Sequence, residues 1–180
     1  MKKINLEILK KDRKKRGVGD IFAFKPTGQD YYFGRIIKTD ADCGFGGPTA
    51  NLVYVYDVCS KEKSKIPPLN KDNLLIPPFF INNLPWTRGY FETLINETLK
   101  KNDVFENNVF WNPVDENYVD ENNKVVKKKL PWKYGFFEIV NRKTKMKYYE
   151  NFSPIGFSAL SGYGSFSNKI SKKLGIFYEE

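Results

Sequence analysis

Residues 19–37 read GDIFAFKPTGQDYYFGRII. Two runs rich in aromatic and β-branched residues flank KPTGQD, where Pro26 and Gly28 supply turn chemistry. The pattern predicts strands over Ile21–Lys25 and Tyr31–Lys38, which commits this end of the chain to an antiparallel hairpin. Gly34 stands inside the second strand. A glycine there lets the chain bulge, bend sharply or accept a close neighbouring backbone. Arg35 follows and needs an acid; Asp20, at the head of the preceding strand, is the nearest candidate in sequence.

The hairpin extends into a larger pattern. TDADCGFGGPTA (39–50) reads as a loop, because three glycines and a proline interrupt a ladder. Leu52–Ser60 reads as a third strand. IPPLNKDNLLIPPFF (66–80) carries two Pro-Pro pairs that enforce extended, irregular backbone, and it is the natural boundary in the chain. From Thr87 to Lys101, Phe91, Leu94, Ile95 and Leu99 fall on one stripe and predict an amphipathic helix. VFENNVFW (104–111) reads as a strand and residues 112–129 as a polar excursion. Residues 131–150 read as a second hairpin turning near Asn141–Lys145. Ser165 is a candidate N-cap for a last helix, with Phe166, Ile170 and Leu174 on its apolar face and Gly175 as its C-cap.

The expected fold class is therefore α+β. A strongly bent antiparallel sheet or small barrel comes first, from residue 17 to about residue 66. A helix, a second β-hairpin and a C-terminal helix follow. A chain of 180 residues buries enough surface for one true core without disulfides. The division expected is a basic arm, 1–16, and one domain, 17–180, with a subdivision near 66–86. In the arm, Ile4, Ile8 and Leu9 suit a helix while Ile4, Leu6 and Ile8 suit a strand, and the spacing does not choose.

Composition narrows the chemistry. Histidine is absent, which removes serine–histidine and cysteine–histidine catalysis and histidine metal ligation. Any catalysis would fall to carboxylates, lysine or tyrosine. The two cysteines, Cys43 and Cys59, are too few for a thiolate metal site. With no export signal in view they suggest reduced thiols and a cytoplasmic protein, and whether they pair is left open. No apolar run is long enough to span a bilayer. The net charge is +9. Residues 1–16 hold eight Lys and Arg against two acids, so +6 sits in the arm, which reads as a solvated tail or solubilising helix.

The remaining motifs carry little chemistry. GFGG (44–47) lacks the Lys-Ser/Thr of a phosphate loop. SGYGS (161–165) is ordinary architecture for a helix start. Asp40 and Asp42, and the acids at 115–116 and 120–121, do not follow a calcium-loop pattern. Aromatic residues interleave with lysines, which would suit stacking on single-stranded nucleic acid if exposed. Most fit a core better, and Tyr54, Tyr56, Trp111 and Trp132 are the candidates for a protein interface.

The hairpin carries a resemblance. Gly19, Asp20, Ile21, Phe22 and Phe24, then Tyr32, Phe33, Gly34, Arg35 and Ile36, resemble the immunity protein 26 family of bacterial polymorphic toxin systems. The resemblance is clearest over Val18–Tyr56. PPFF, LPWTRGYF, VFWNP and the final LGI are compatible with longer relatives. It implies a non-enzymatic, cytoplasmic antitoxin, without cofactor, that binds and blocks a toxin. It makes Gly19, Asp20, Phe22, Phe24, Gly34 and Arg35 structural residues. An inhibitor that imitated nucleic acid would be acidic, so this basic chain is expected to meet an acidic toxin face, through stretches such as Asp40–Ala50 and Asn112–Lys129. The alternative expectation is a nucleic-acid-binding small barrel that uses the basic arm.

Overall fold

The structure, a computed structural model, describes residues 4–43, 48–106, 108–111, 133–134, 137–140, 154–157 and 159–176. The first hairpin forms as expected, from β1 (Asp20–Phe24) and β2 (Tyr31–Asp42). β3 (Pro48–Ser60), β4 (Leu74–Ile81) and β5 (Glu92–Asn96) join it, with α1 (Leu84–Arg88) before β5. Then come a short 3-10 turn (Lys101–Asp103), β6 (Asn108–Trp111), β7 (Lys133–Tyr134), β8 (Phe137–Val140), β9 (Gly156–Phe157) and β10 (Leu160–Ser161). The last helix, α2, spans Tyr163–Leu174.

Two sheets result. The larger has six strands in the order β10-β4-β3-β2-β1-β5, antiparallel except for the parallel β10–β4 pair. It is open, with β5 and β10 at its edges, so it is a mixed sheet that does not close into a barrel. The smaller has the order β7-β8-β6-β9, with β6 parallel to both β8 and β9.

Several expectations change. The loop foreseen at 39–50 shrinks, because β2 runs to Asp42 and β3 begins at Pro48. Register shifts at Ile36/Lys38 and Lys38/Ala41 let the ladder continue past an irregular sequence. The second Pro-Pro pair lies inside β4. Val53 pairs with Phe79 and Val55 with Ile76, so Pro77 and Pro78 together oppose Tyr54 alone. A bulge is where a strand tolerates prolines, since the ladder is already broken there.

The helix foreseen over Thr87–Lys101 is absent. α1 starts earlier, with Pro in its first turn, and ends at left-handed Gly89. Phe91 then enters the core and Glu92–Asn96 pairs with β1 as an edge strand. The apolar spacing reflected two surfaces, since Phe91 joins one core cluster and Leu99 packs on another. The C-terminal helix is present with Gly175 as its left-handed C-cap, but its N-cap is Gly162, and Ser165 sits exposed in the first turn. The foreseen turn at Asn141–Lys145 lies outside the described residues; of residues 131–150, those described form β7 and β8, which pair antiparallel.

The arm is neither helix nor strand between Ile4 and Arg16. It lies along the sheet. Leu6 bridges Pro26 and is buried in the main core. Asn5 donates from its backbone to Ser167 Oγ and from Nδ2 to Ser171 Oγ, tying the arm to α2. Leu9 and Lys10 donate to Gly89 O, and Asp12 to Trp86 O.

Strand alternation splits the core into two layers. On one face Phe22, Phe24, Val53, Val55 and Phe79 pack with Trp86, Phe91, Phe166 and Ile170 from the α1–β5 segment and α2. On the other, Leu52, Tyr54, Tyr56 and Phe80 pack with Phe105 and Phe110. Phe80 and Phe110 meet at 4.6 Å between ring centroids, which joins the large sheet to the small one.

Candidate partner-binding surface

Gly34 and Arg35 do different work on opposite faces of β2. Gly34 pairs with Phe22. A Cβ at Gly34 would lie 2.3 Å from Phe22 Cζ. The glycine therefore makes room for a ring that stacks on Phe91 at 4.6 Å and meets Trp86 edge-on at 5.1 Å. The close neighbour is a side chain and not a backbone.

Arg35 pairs across the sheet with Ile21 on one side and Tyr54 on the other. Asp20, next to Ile21, belongs to the opposite face by alternation, so the pairing expected between Arg35 and Asp20 does not form. Asp20 instead accepts from Gly17 N–H and from Asn96 Nδ2, each at 2.8 Å, and fixes the entry into β1. Gly19 has φ +87°, and a Cβ there would strike Glu97 O at 2.1 Å, so the turn before β1 admits only glycine.

Arg35 is 5 % exposed and reaches the segment between β5 and β6. Its Nη1 lies 3.2 Å from Asp103 Oδ2. Its Nη2 donates to Glu97 O at 3.0 Å and lies 3.8 Å from Glu97 Oε2. Asp103 also accepts from Lys100 N–H at 2.8 Å. The arginine thus clamps a 3-10 turn onto the sheet through a charge pair and backbone carbonyls. Glu97 was hidden in sequence because Thr87–Lys101 read as helix, and Asp103, just beyond it, carried no local signal.

A cleft of about 660 Å³ opens above this clamp, between Ile21 and Arg35 on one side and the Ile66–Leu69 segment on the other. Glu97 and Lys100 bring one exposed charge of each sign to it. The guanidinium is already matched by two carboxylates, so the cleft is not an anion trap. It suits a polar partner surface that meets both charges.

The candidate anchors distribute unevenly. Tyr54 and Tyr56 are fully buried and cannot anchor a partner from the surface. Tyr54 donates its hydroxyl proton to Asn108 Oδ1 and accepts from Phe105 N–H at 3.2 Å, stitching β3 to β6. Burial pushes its pKa up to about 12. Burial also raises that of Tyr56, against the opposing field of Arg35. Trp111 closes β6. Trp132 lies outside the described residues, as do 44–47 and 112–129 of the foreseen contact stretches. Ala41, Cys43 and Ala50, from the described part of Asp40–Ala50, are buried. Cys59 is exposed and no disulfide joins it to Cys43. Among the described residues no cluster of three or more acids and cysteines could hold a metal, and no helix is long and apolar enough to cross a membrane.

No curated protein and no solved structure matches the chain. The family model of Immunity protein 26 (Imm26) matches residues 17–120. That span contains β1 to β6, Gly34, and Arg35 with both of its acids. The chain belongs to the Immunity protein 26 family.

Proposed function

We propose that this chain is a cytoplasmic immunity protein that binds a bacterial polymorphic toxin and neutralises it by covering its working surface. The observation that carries the reading is the family match across the whole Gly19–Arg35 hairpin and the strands packed on it. Phe22, Phe24 and Arg35 of the hairpin are buried in the fold, which favours a partner met mainly through other residues. Binding needs no catalytic group of this chain, in keeping with its lack of histidine. A net charge of +9 opposes nucleic-acid mimicry and favours a toxin with an acidic face.

Expression of the neighbouring gene's product in a naive host, with and without this chain, tests the reading. Growth arrest relieved by this chain, with a stable complex recovered, supports it. Rescue without a complex, or a harmless neighbour, counts decisively against it.

One observation favours a second reading. The arm lies against the sheet with Lys10, Lys11, Arg13, Lys14 and Lys15 exposed, a row that could follow a phosphate backbone. Salt-dependent nucleic-acid binding, lost when these five are replaced by glutamine, would support that reading in place of the first.

A further inference from the structure

A second concave surface lies at the other end of the large sheet. It is a groove of about 430 Å³, floored by Ile76, Pro77, Pro78 and Phe79 of β4 with Ile155 beside them. One wall is α2, which contributes Lys169, Lys172 and Lys173. These stand at i, i+3 and i+4 and so share a helix face. The helix, YGSFSNKISKKL, contains no acid. Among the described residues no carboxylate lies within ion-pair distance of the three lysines.

Lys172 and Lys173 occupy the last turn, where the helix dipole favours cations. The dipole does not explain Lys169, one turn earlier. Its Nζ lies 5.5 Å from the Phe79 ring centroid and has Ser161 Oγ at 3.4 Å as its hydrogen-bond partner. Burial lowers its pKa, so its charge is under-solvated and gains from an arriving carboxylate.

We infer that this groove docks an acidic segment of the partner protein, with an apolar side chain on the β4 floor and carboxylates on the three lysines. The identity of that partner as the toxin rests on the immunity reading; the chemistry of the groove does not. Strand addition is not the mode, because Pro77 and Pro78 lack the N–H donors that an added strand would use. Nucleic acid fits less well. It needs exposed rings to stack on, whereas Phe79 is only 2 % exposed and the rest of the floor is aliphatic.

The probe is a short labelled peptide in which glutamates flank a leucine, with a single-stranded oligonucleotide of equal charge beside it. Fluorescence anisotropy compares the intact chain with Lys172→Glu/Lys173→Glu, whose sites are exposed, and with Lys169→Gln. Circular dichroism checks that α2 is retained. The expected result is peptide binding that weakens about tenfold or more in the double variant, with weaker binding of the oligonucleotide. No peptide binding, equal binding by the variants, or tighter binding of the oligonucleotide would overturn the inference. The toxin complex gives the second readout. A toxin that binds the intact chain and the double variant equally removes the groove and leaves the immunity reading standing. A toxin that ignores the intact chain removes the immunity reading, while the peptide still decides the groove.

Discussion

Gly34→Ala places a methyl group against the face of Phe22, and Phe22 has nowhere to go. Phe91 stacks on it and Trp86 closes its edge. Forced overpacking of this kind costs about 1–3 kcal/mol. Urea unfolding of Gly34→Ala should show that loss; a change within about 0.5 kcal/mol would mean that the ring is not confined as described. For Arg35 the prediction is an order. Asp103→Ala leaves a nearly buried guanidinium short of its charge partner and should cost about 2–4 kcal/mol. Glu97→Ala removes a half-exposed partner at 3.8 Å and should cost under about 1 kcal/mol. Double-mutant cycles should couple Arg35 to Asp103 and not to Asp20; coupling to Asp20 would contradict the face assignment. The sequence pointed to Gly34 and Arg35 as residues with a purpose. It could not supply their neighbours, because the acid nearest in sequence lies on the wrong face and the right one arrives from beyond β5.

Among the elements, the arm departs furthest from its reading as a solvated tail. Its cations dominate its composition, but Asn5 and Leu6 decide its placement. Leu6→Ala removes a side chain from the main core and should cost about 2–3 kcal/mol. A loose tail would show no loss, so denaturant unfolding of Leu6→Ala separates the two descriptions. The strands were legible wherever aromatic and β-branched residues clustered, in β1, β2 and β3. β4 was obscured by Pro77 and Pro78, whose bulge depends on Tyr54 in a neighbouring strand. The segment after Gly89 misled for a related reason. Phe91, Leu94, Ile95 and Leu99 imitate a helix stripe, yet Gly89 turns the chain and β1 offers its edge. Pairing of this kind is non-local, and local spacing does not record it.

At the scale of the whole molecule, the large sheet is covered on both faces, by α1 and α2 on one side and by the smaller sheet on the other. The run LVYVY in β3 carries that signal, since a continuous apolar strand is typical of a sheet buried twice. Taking Tyr54 and Tyr56 for surface anchors required one face to be open. Their burial ties global stability to alkaline pH. Tyr54 ionises near pH 10 in an unfolded chain and is held neutral up to about 12 in the fold. A folded pKa raised above the unfolded value gives stability that is complete below about pH 10 and is lost as pH climbs toward the folded value. Between those limits the unfolded chain sheds a proton that the folded one keeps, so Tyr54 alone removes about 3 kcal/mol. Tyr56 acts in the same direction. Urea midpoints should therefore be level from about pH 8 to about pH 9 and fall steeply above about pH 10. Tyr54→Phe should be less stable at neutral pH, because the hydrogen bonds of its hydroxyl to Asn108 and the Phe105 amide are lost, and yet decline less steeply in alkali. Parallel declines in the two proteins would show that Tyr54 ionises as freely in the fold as in water, and that the seam between the sheets is open.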